Sequence, residues 1–261
     1  MNLRKIALAA AFAPLFATTA HAALMVTYAE SPSIYNSTLP GTTVFTFDNG
    51  QTPWGSKSSN VVWTSGGTTI GTYDNVYVKG ADAYGGAGPS GSGYIVQSTT
   101  VGGASAVPVT TLTLNGDYAY FGFWWSAGDG NNVITFSENG SVVAQFTTAT
   151  LLDKIANDAA YKGNPRTHAN TGESYAYINF FGLEGTAWNS ITFSNTTSTT
   201  GFESDNHTVR KAPYNPTTDG PMPGIPLAII TGTTVTEVPE PGVSAFAVVL
   251  AGVLFARRRR H

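Results

Sequence analysis

Between residues 43 and 209 the chain consists of short runs in which apolar and polar side chains alternate. These runs are rich in Val, Ile, Thr and aromatic residues, which favour strands, and they are separated by Gly, Asn and Asp. Twelve such segments are predicted to be strands, from 43–48 to 201–209, and the clearest hairpin turns at Asn139-Gly140. Many short strands with few helices predict an all-β, jelly-roll-like β-sandwich.

One short helix interrupts the strand pattern. Thr150 is the expected N-cap and Asp153 follows three positions later, as in a capping box. Leu151, Leu152, Ile155 and Ala159 recur at helical spacing and form an apolar face. We expect this helix to pack on one end of the sandwich.

The composition changes after the last predicted strand. The segment 212–237 is rich first in Pro and Gly and then in Thr, which is typical of an extended linker and stalk. The chain is therefore predicted to consist of a signal segment (1–22), a β-sandwich domain (23–211), a linker and stalk (212–237) and a C-terminal signal (238–261).

The N-terminus has the three parts of a secretory signal peptide. Arg4 and Lys5 form a short positive region, an apolar run covers 6–17, and Ala20-His21-Ala22 is a small-residue cleavage site. We expect cleavage after Ala22, so that the rest of the chain is exported.

The C-terminus has a second three-part pattern. Pro239, Glu240 and Pro241 precede an apolar segment at 243–256, and four arginines follow it: Arg257, Arg258, Arg259 and Arg260. Fourteen helical residues span about 21 Å, less than the ~30 Å bilayer core, so this is a marginal transmembrane anchor helix. Positive residues after the segment place the chain end inside and the body outside.

This ending resembles the PEP-CTERM sorting signal of exosortase-dependent bacterial surface proteins, over about 24 residues at 238–261. The resemblance implies that a membrane-embedded exosortase recognises Pro239, Glu240 and Pro241 and cuts or transfers the chain near them. It also implies transient membrane anchoring of the precursor. The host would be a Gram-negative bacterium that makes exopolysaccharide and lives in biofilm.

Three segments of the body, 162–165, 172–181 and 200–209, resemble a cyanobacterial-type subfamily of these surface proteins. That subfamily has no established enzymatic activity to transfer. The resemblance therefore implies placement at the cell surface and leaves the activity of the sandwich open.

Composition and charge restrict the possible chemistry. The absence of Cys excludes disulfides, iron–sulfur clusters and a cysteine nucleophile. Residues 23–241 contain seven basic and all sixteen acidic residues, a net charge of −9. Such a surface repels nucleic acid and anionic lipid and suits a body that holds cations.

Motifs for catalysis are few. The body has two histidines, His168 and His207, and no nucleophile elbow, zinc-protease motif or Walker loop. The residues 86–91 match Gly-x-Gly-x-x-Gly but run on into a predicted strand, which indicates a mobile glycine loop rather than a dinucleotide site. Paired carboxylates for glycoside hydrolysis stay open as an alternative.

Acid and amide residues near strand ends suggest a structural calcium site. Asp48 ends the first predicted strand, and Asp205 and Asn206 lie in the last one. First and last strands can be neighbours in a jelly roll, and calcium prefers carboxylate and carbonyl oxygens. The alternative is the ordinary turn-forming role of Asp and Asn.

A glycan could stack on an exposed aromatic ring. Trp54, between Pro53 and Gly55, is the expected exposed ring, with a packed loop aromatic as the alternative. Trp124 and Trp125 lie in an aromatic run that is predicted to be a core strand.

Taken together, these features predict a noncatalytic, exosortase-processed protein of the cell surface or extracellular matrix, associated with exopolysaccharide. A carbohydrate-binding module for exopolysaccharide is the first alternative. A surface glycosidase or lyase is the second.

Overall fold

The computed structural model describes residues 22–48, 50, 52–88, 92–98, 107–197 and 200–238. Within these ranges the chain forms sixteen strands, two short α-helices, α1 (Ala149–Ile155) and α2 (Pro216–Asp219), and one 3₁₀ helix, Ala159–Tyr161. In chain order the strands are β1 (Ala23–Tyr28), β2 (Thr43–Phe45), β3 (Ser56–Ser58), β4 (Val61–Ser65), β5 (Thr68–Asp74), β6 (Val76–Gly80), β7 (Gly93–Gln97), β8 (Val109–Tyr118), β9 (Tyr120–Gly128), β10 (Asn132–Glu138), β11 (Ser141–Thr147), β12 (Ser174–Leu183), β13 (Trp188–Asn195), β14 (Phe202–Arg210), β15 (Ile225–Thr231) and β16 (Thr234–Glu237).

The strands form two antiparallel sheets that pack face to face. The larger sheet has ten strands in the order β16-β15-β1-β12-β9-β14-β7-β6-β3, with β2 also paired to β14, and the smaller has six in the order β11-β10-β13-β8-β5-β4. Aromatic side chains join the sheets: Phe121 of β9 lies 5.8 Å from Phe193 of β13, and Phe180 of β12 lies 4.9 Å from Phe136 of β10. The predicted all-β sandwich is confirmed.

The predicted hairpin at Asn139-Gly140 is confirmed. Glu138 pairs with Ser141 across the two-residue loop between β10 and β11. Asn139 and Gly140 both have positive φ, 51° and 82°, as a type I′ turn requires. Asn and Gly tolerate this backbone better than other residues, which explains the sequence signal.

The predicted helix exists, but its start was wrong. Thr148 rather than Thr150 occupies the N-cap position of α1, but its side chain makes no capping hydrogen bond and donates instead to the backbone O of Asp129 at 2.6 Å. Leu151 and Ile155 are buried as predicted, whereas Ala159 lies beyond the end of α1, in the 3₁₀ helix, and is exposed. The second helix, α2, was not predicted; Asn215 caps it by accepting from the Thr217 N–H.

The prediction of a linker and stalk over 212–237 is wrong from Ile225 onward. β15 pairs with β1 along its whole length, and β16 pairs with β15. Leu227, Ala228 and Ile230 are buried in the core. Pro226 fits in β15 because the register with β1 shifts between Val26 and Thr27. The sandwich domain therefore extends to Glu237.

Both faces of the central strands of the larger sheet are buried. Their outer face, which points away from the smaller sheet, carries Trp124, Tyr175 and Tyr177 and is covered by the chain segments 29–42, 81–88 and 162–173. Trp124 donates to the O of Pro32 at 3.1 Å, and the Tyr175 hydroxyl donates to the O of Ala83 at 3.0 Å. This loop layer turns the outer face into a second core.

No helix in the described part of the chain is long and apolar enough to cross a membrane. Residues 1–21 of the predicted signal peptide and the predicted anchor segment 243–256 lie outside the described residues.

Candidate functional site

The three residues of the predicted calcium site, Asp48, Asp205 and Asn206, lie at or beside the middle of β14. On one edge, β14 pairs with β7 through residues 202–204 and with β2 through residues 207–209. Between these two partners the register of β14 with β9 shifts, and Asn206 has a φ of 50°. Asp205 and Asn206 therefore lie in a gap between β7 and β2 along this edge, which we call the β14 split. A bulge allows such a gap because it leaves a residue without a partner in the ladder. The prediction that the segments carrying Asp48 and Asp205 are neighbours is borne out by the β2–β14 pairing.

Asp205 fills the split. It is fully buried, and its carboxylate accepts from the N–H of Ala87 at 2.7 Å and from the N–H of Asn206 at 2.7 Å. Burial raises the pKa of Asp205 well above its usual range, and the charge of Asp48 raises it further. The two backbone donors act in the opposite direction by favouring the ionised form. Asp205 therefore ties the 81–88 segment to the central sheet.

Asp48 and Asn206 each have a separate backbone partner. Asp48 is exposed, and its Oδ1 accepts from the N–H of Gly93 at 2.5 Å. The Asn206 amide donates to the O of Tyr35 at 2.8 Å and to Asn36 Oδ1 at 2.9 Å. Across the described ranges, no group of three or more His, Asp or Glu side chains is placed to hold a metal ion. These contacts explain why the three residues lie where they do, and calcium binding stays a prediction.

The glycine loop is held rather than free where the structure describes it. Gly86 has a φ of 100°, and Ala87 is buried with its N–H bonded to Asp205. Gly88 follows, and the rest of the motif lies outside the described residues. The hydrogen bond at Ala87 anchors this end of the loop to β14, and the mobility of the loop stays a prediction.

Glu203 is the second buried carboxyl group of β14. It lies on the outer face, where burial, followed by the charges of Glu173 and Asp129, raises its pKa to about 8. Lys79 opposes this shift. The side chain folds over Gly201, where a β-carbon would collide with Oε1. A carboxyl group that stays protonated at neutral pH could serve as a general acid, but Glu203 is only 7% exposed, which leaves little of it within reach of a substrate.

A hydrogen-bonded Ser–His–Tyr network lies in the core beside Asp205 and was not predicted. His207 lies between Ser204 Oγ and the Tyr73 hydroxyl, both at 3.0 Å. All three residues are fully buried, and the His207 ring stacks on Phe193 at 4.8 Å. Burial lowers the pKa of His207 to about 3, so the imidazole is neutral at ordinary pH. A nucleophile and base that are fully buried cannot contact a substrate. The hydrogen bonds among Ser204, His207 and Tyr73 instead satisfy the polar atoms of these buried side chains.

The outer edge of the larger sheet carries a charged cluster around Asp82. Lys79 lies 3.0 Å from Asp82, and the Tyr94 hydroxyl donates to Asp82 at 2.9 Å. Burial would raise the pKa of Asp82, but the hydrogen bonds from Lys79, the Tyr84 N–H and Tyr94 outweigh it and lower the pKa. Tyr84 itself is 49% exposed.

The three tryptophans of the glycan prediction lie where the sequence placed them. Trp54 is 52% exposed, and its ring lies against Gly80, where a β-carbon would come within 2.7 Å of it. Trp124 and Trp125 are fully buried, and Trp125 donates to Asn132 Oδ1 at 2.7 Å. The exposure of Trp54 therefore keeps it available for a ligand.

The sorting residues Pro239, Glu240, Pro241 and Arg257 to Arg260 lie outside the described residues. No family model, curated protein or solved structure matches the chain.

Proposed function

We propose that this chain is an exported, exosortase-processed protein of the cell surface or extracellular matrix of a Gram-negative bacterium. In this proposal the sandwich is noncatalytic and associates with exopolysaccharide. The observation that carries it is the three-part ending at 238–261, together with the signal pattern at 1–22.

The limits of the folded body agree with this proposal. β1 starts at Ala23, directly after the expected cleavage site, and β16 ends at Glu237, two residues before Pro239. Val238 is the last residue with a described contact, donating its N–H to the O of Leu227 at 2.9 Å. Removal of both signals would leave the whole sandwich intact.

Processing can be measured by the intact mass of the protein from a Gram-negative host that has an exosortase. We expect a mature chain that begins at Ala23 and lacks 243–261. Glu240→Gln, or deletion of Arg257 to Arg260, should leave the precursor in the membrane. Glu237→Gln is the matched control, because this acid lies three residues away on β16 and outside the motif. A mature wild-type chain that retains 243–261 would refute the proposal.

The carbohydrate-binding alternative is favoured by one observation, the 52% exposure of Trp54. Binding of host exopolysaccharide to the full chain should weaken in Trp54→Ala while the melting temperature changes little. Tyr84→Ala, which removes another exposed ring, is the control. Trp124→Ala should instead cost about 3–5 kcal/mol of stability, because it leaves a cavity. Equal affinity in wild type and Trp54→Ala would exclude this ring.

A further inference from the structure

A groove of about 420 Å³ lies between the two sheets, and none of Trp54, Asp205 and Asn206 lines it. Its walls come from β2 and β14 of the larger sheet and from β5 and the end of β8 in the smaller one. Thr43, Thr68 and Thr69 line it, and the last two are exposed. The volume is within the range of small-ligand sites, and the hydroxyl groups can both donate and accept hydrogen bonds.

Two adjacent basic residues, Arg210 and Lys211, lie on one wall of the groove. The Arg210 guanidinium is bound at both nitrogens by Asp219, at 2.9 and 3.1 Å. The Lys211 ammonium lies over the Tyr118 ring, 5.3 Å from its centroid, and none of the acids in the described ranges lies within 4.0 Å of it. The ring attracts the ammonium through a cation–π contact and holds it at the groove without neutralising it.

This local charge contrasts with the rest of the body. Residues 23–241 carry only seven basic residues against sixteen acids, yet two of the seven line this groove. None of the described lining residues is acidic. A negatively charged group would therefore find its counter-charge here, beside three hydroxyl groups.

We propose that the groove binds an acidic saccharide, a glycan segment whose sugar rings carry carboxylates. The Lys211 ammonium would donate a charge-assisted hydrogen bond to a sugar carboxylate, and the threonine hydroxyls would bond to ring hydroxyls. A neutral sugar would leave the ammonium unpaired. The net charge of −9 opposes any dense polyanion, so we expect a saccharide with isolated carboxylates rather than a nucleic acid, which is charged at every phosphate.

Titration calorimetry of the full-length chain tests the proposal. The probe is a glucose hexamer that ends in one glucuronic acid, and the neutral comparison is the unmodified glucose hexamer. We expect binding of the acidic hexamer only, with an affinity that falls as salt is added. Binding of neither hexamer, equal affinity for both, or tighter binding of a thymidine oligonucleotide would overturn the proposal.

Matched variants locate the site. Lys211→Met should lower affinity for the acidic hexamer about tenfold, the usual worth of one charge-assisted bond. Thr68→Val combined with Thr69→Val should also weaken binding. Lys57→Met on β3, an exposed lysine outside the groove, is the control and should bind like wild type. Equal affinity in Lys211→Met and Lys57→Met, with unchanged melting temperatures, would remove the groove from consideration. This test does not depend on sorting, so its failure would leave the processing proposal untouched.

Discussion

The carboxyl group of Glu203 is buried among other acids on the outer face of the larger sheet, where a negative charge is poorly solvated. Its pKa of about 8 in the folded chain compares with about 4.5 in the unfolded chain. The folded state therefore holds the proton more tightly. The stability that this gives is complete below about pH 4.5 and is lost as the pH rises through 8.

We expect Glu203→Gln to reduce the loss of folding stability between pH 4.5 and pH 8. Over that window the wild type should lose about 1.4 kcal/mol per pH unit from this group, whereas glutamine does not titrate. The variant should match wild type near pH 4.5 and exceed its free energy of unfolding by roughly 4 kcal/mol at pH 8. Urea unfolding at pH 5, 6, 7 and 8 measures this.

Glu138→Gln provides the comparison, since Glu138 is exposed at the end of β10. This variant should follow the pH profile of the wild type. Parallel profiles for wild type and Glu203→Gln would show that the carboxyl group is not buried as described.

At the residue scale, the sequence predicted the burial of side chains that depends on neighbouring residues in the chain. The apolar run around Trp124 and Trp125 predicted a core strand, and Pro and Gly beside Trp54 predicted an exposed ring. The burial of Glu203 and His207 could not be predicted in this way. It depends on loops and strands that are distant in sequence, such as the segment around Glu173 and the ring of Tyr73.

At the scale of elements, β15 and β16 carry the largest correction. Pro223 and Pro226, with the neighbouring glycines, give this segment the composition of a linker. The apolar side chains of Leu227, Ala228 and Ile230 are nevertheless buried in the core, on a strand that pairs with β1. The composition of the whole segment predicted a linker because it counts prolines without their positions. A single proline can occupy a strand where a bulge shifts the register.

Truncation tests the structural role of these strands. A chain that ends at Lys211 loses both strands and exposes Leu24 and Val26 of β1, which are fully buried in the intact domain. We expect this chain to lack a cooperative melt, because several buried apolar side chains lose their partners. A chain of residues 23–238 should melt cooperatively, as followed by circular dichroism.

A chain that ends at Thr233 distinguishes the contributions of the two strands to stability, because it keeps β15 and loses only β16. It should melt between the other two, since the side chains of β16 are mostly exposed. A cooperative melt of the 23–211 chain at the temperature of the 23–238 chain would contradict this role.

At the scale of the whole molecule, the two predicted processing points belong to one side of one sheet. Glu237 at the end of β16 pairs with Ala228, and Ala228 pairs with Val26, three residues from Ala23 on β1. Lys154 of α1 also binds Glu237 at 2.7 Å. The C-terminal exit of the domain is therefore held against the body, and no stalk separates β16 from the Pro239 motif. The sequence predicted the fold class and the two signals but not this proximity, which depends on long-range pairing.

That pairing determines the order in which an exported chain can fold. Thr27 on β1 bonds to Asn179 and to the O of Pro223, which follow it by 152 and 196 residues. Such contacts require a long loop to close, so they form late and slow folding. In a chain that crosses a membrane from its N-terminus, β1 emerges first and waits for partners that emerge near the end. Under the export proposed above, β1 would stay unpaired, and its apolar side chains would be open to aggregation, until β12 and β15 have crossed the membrane.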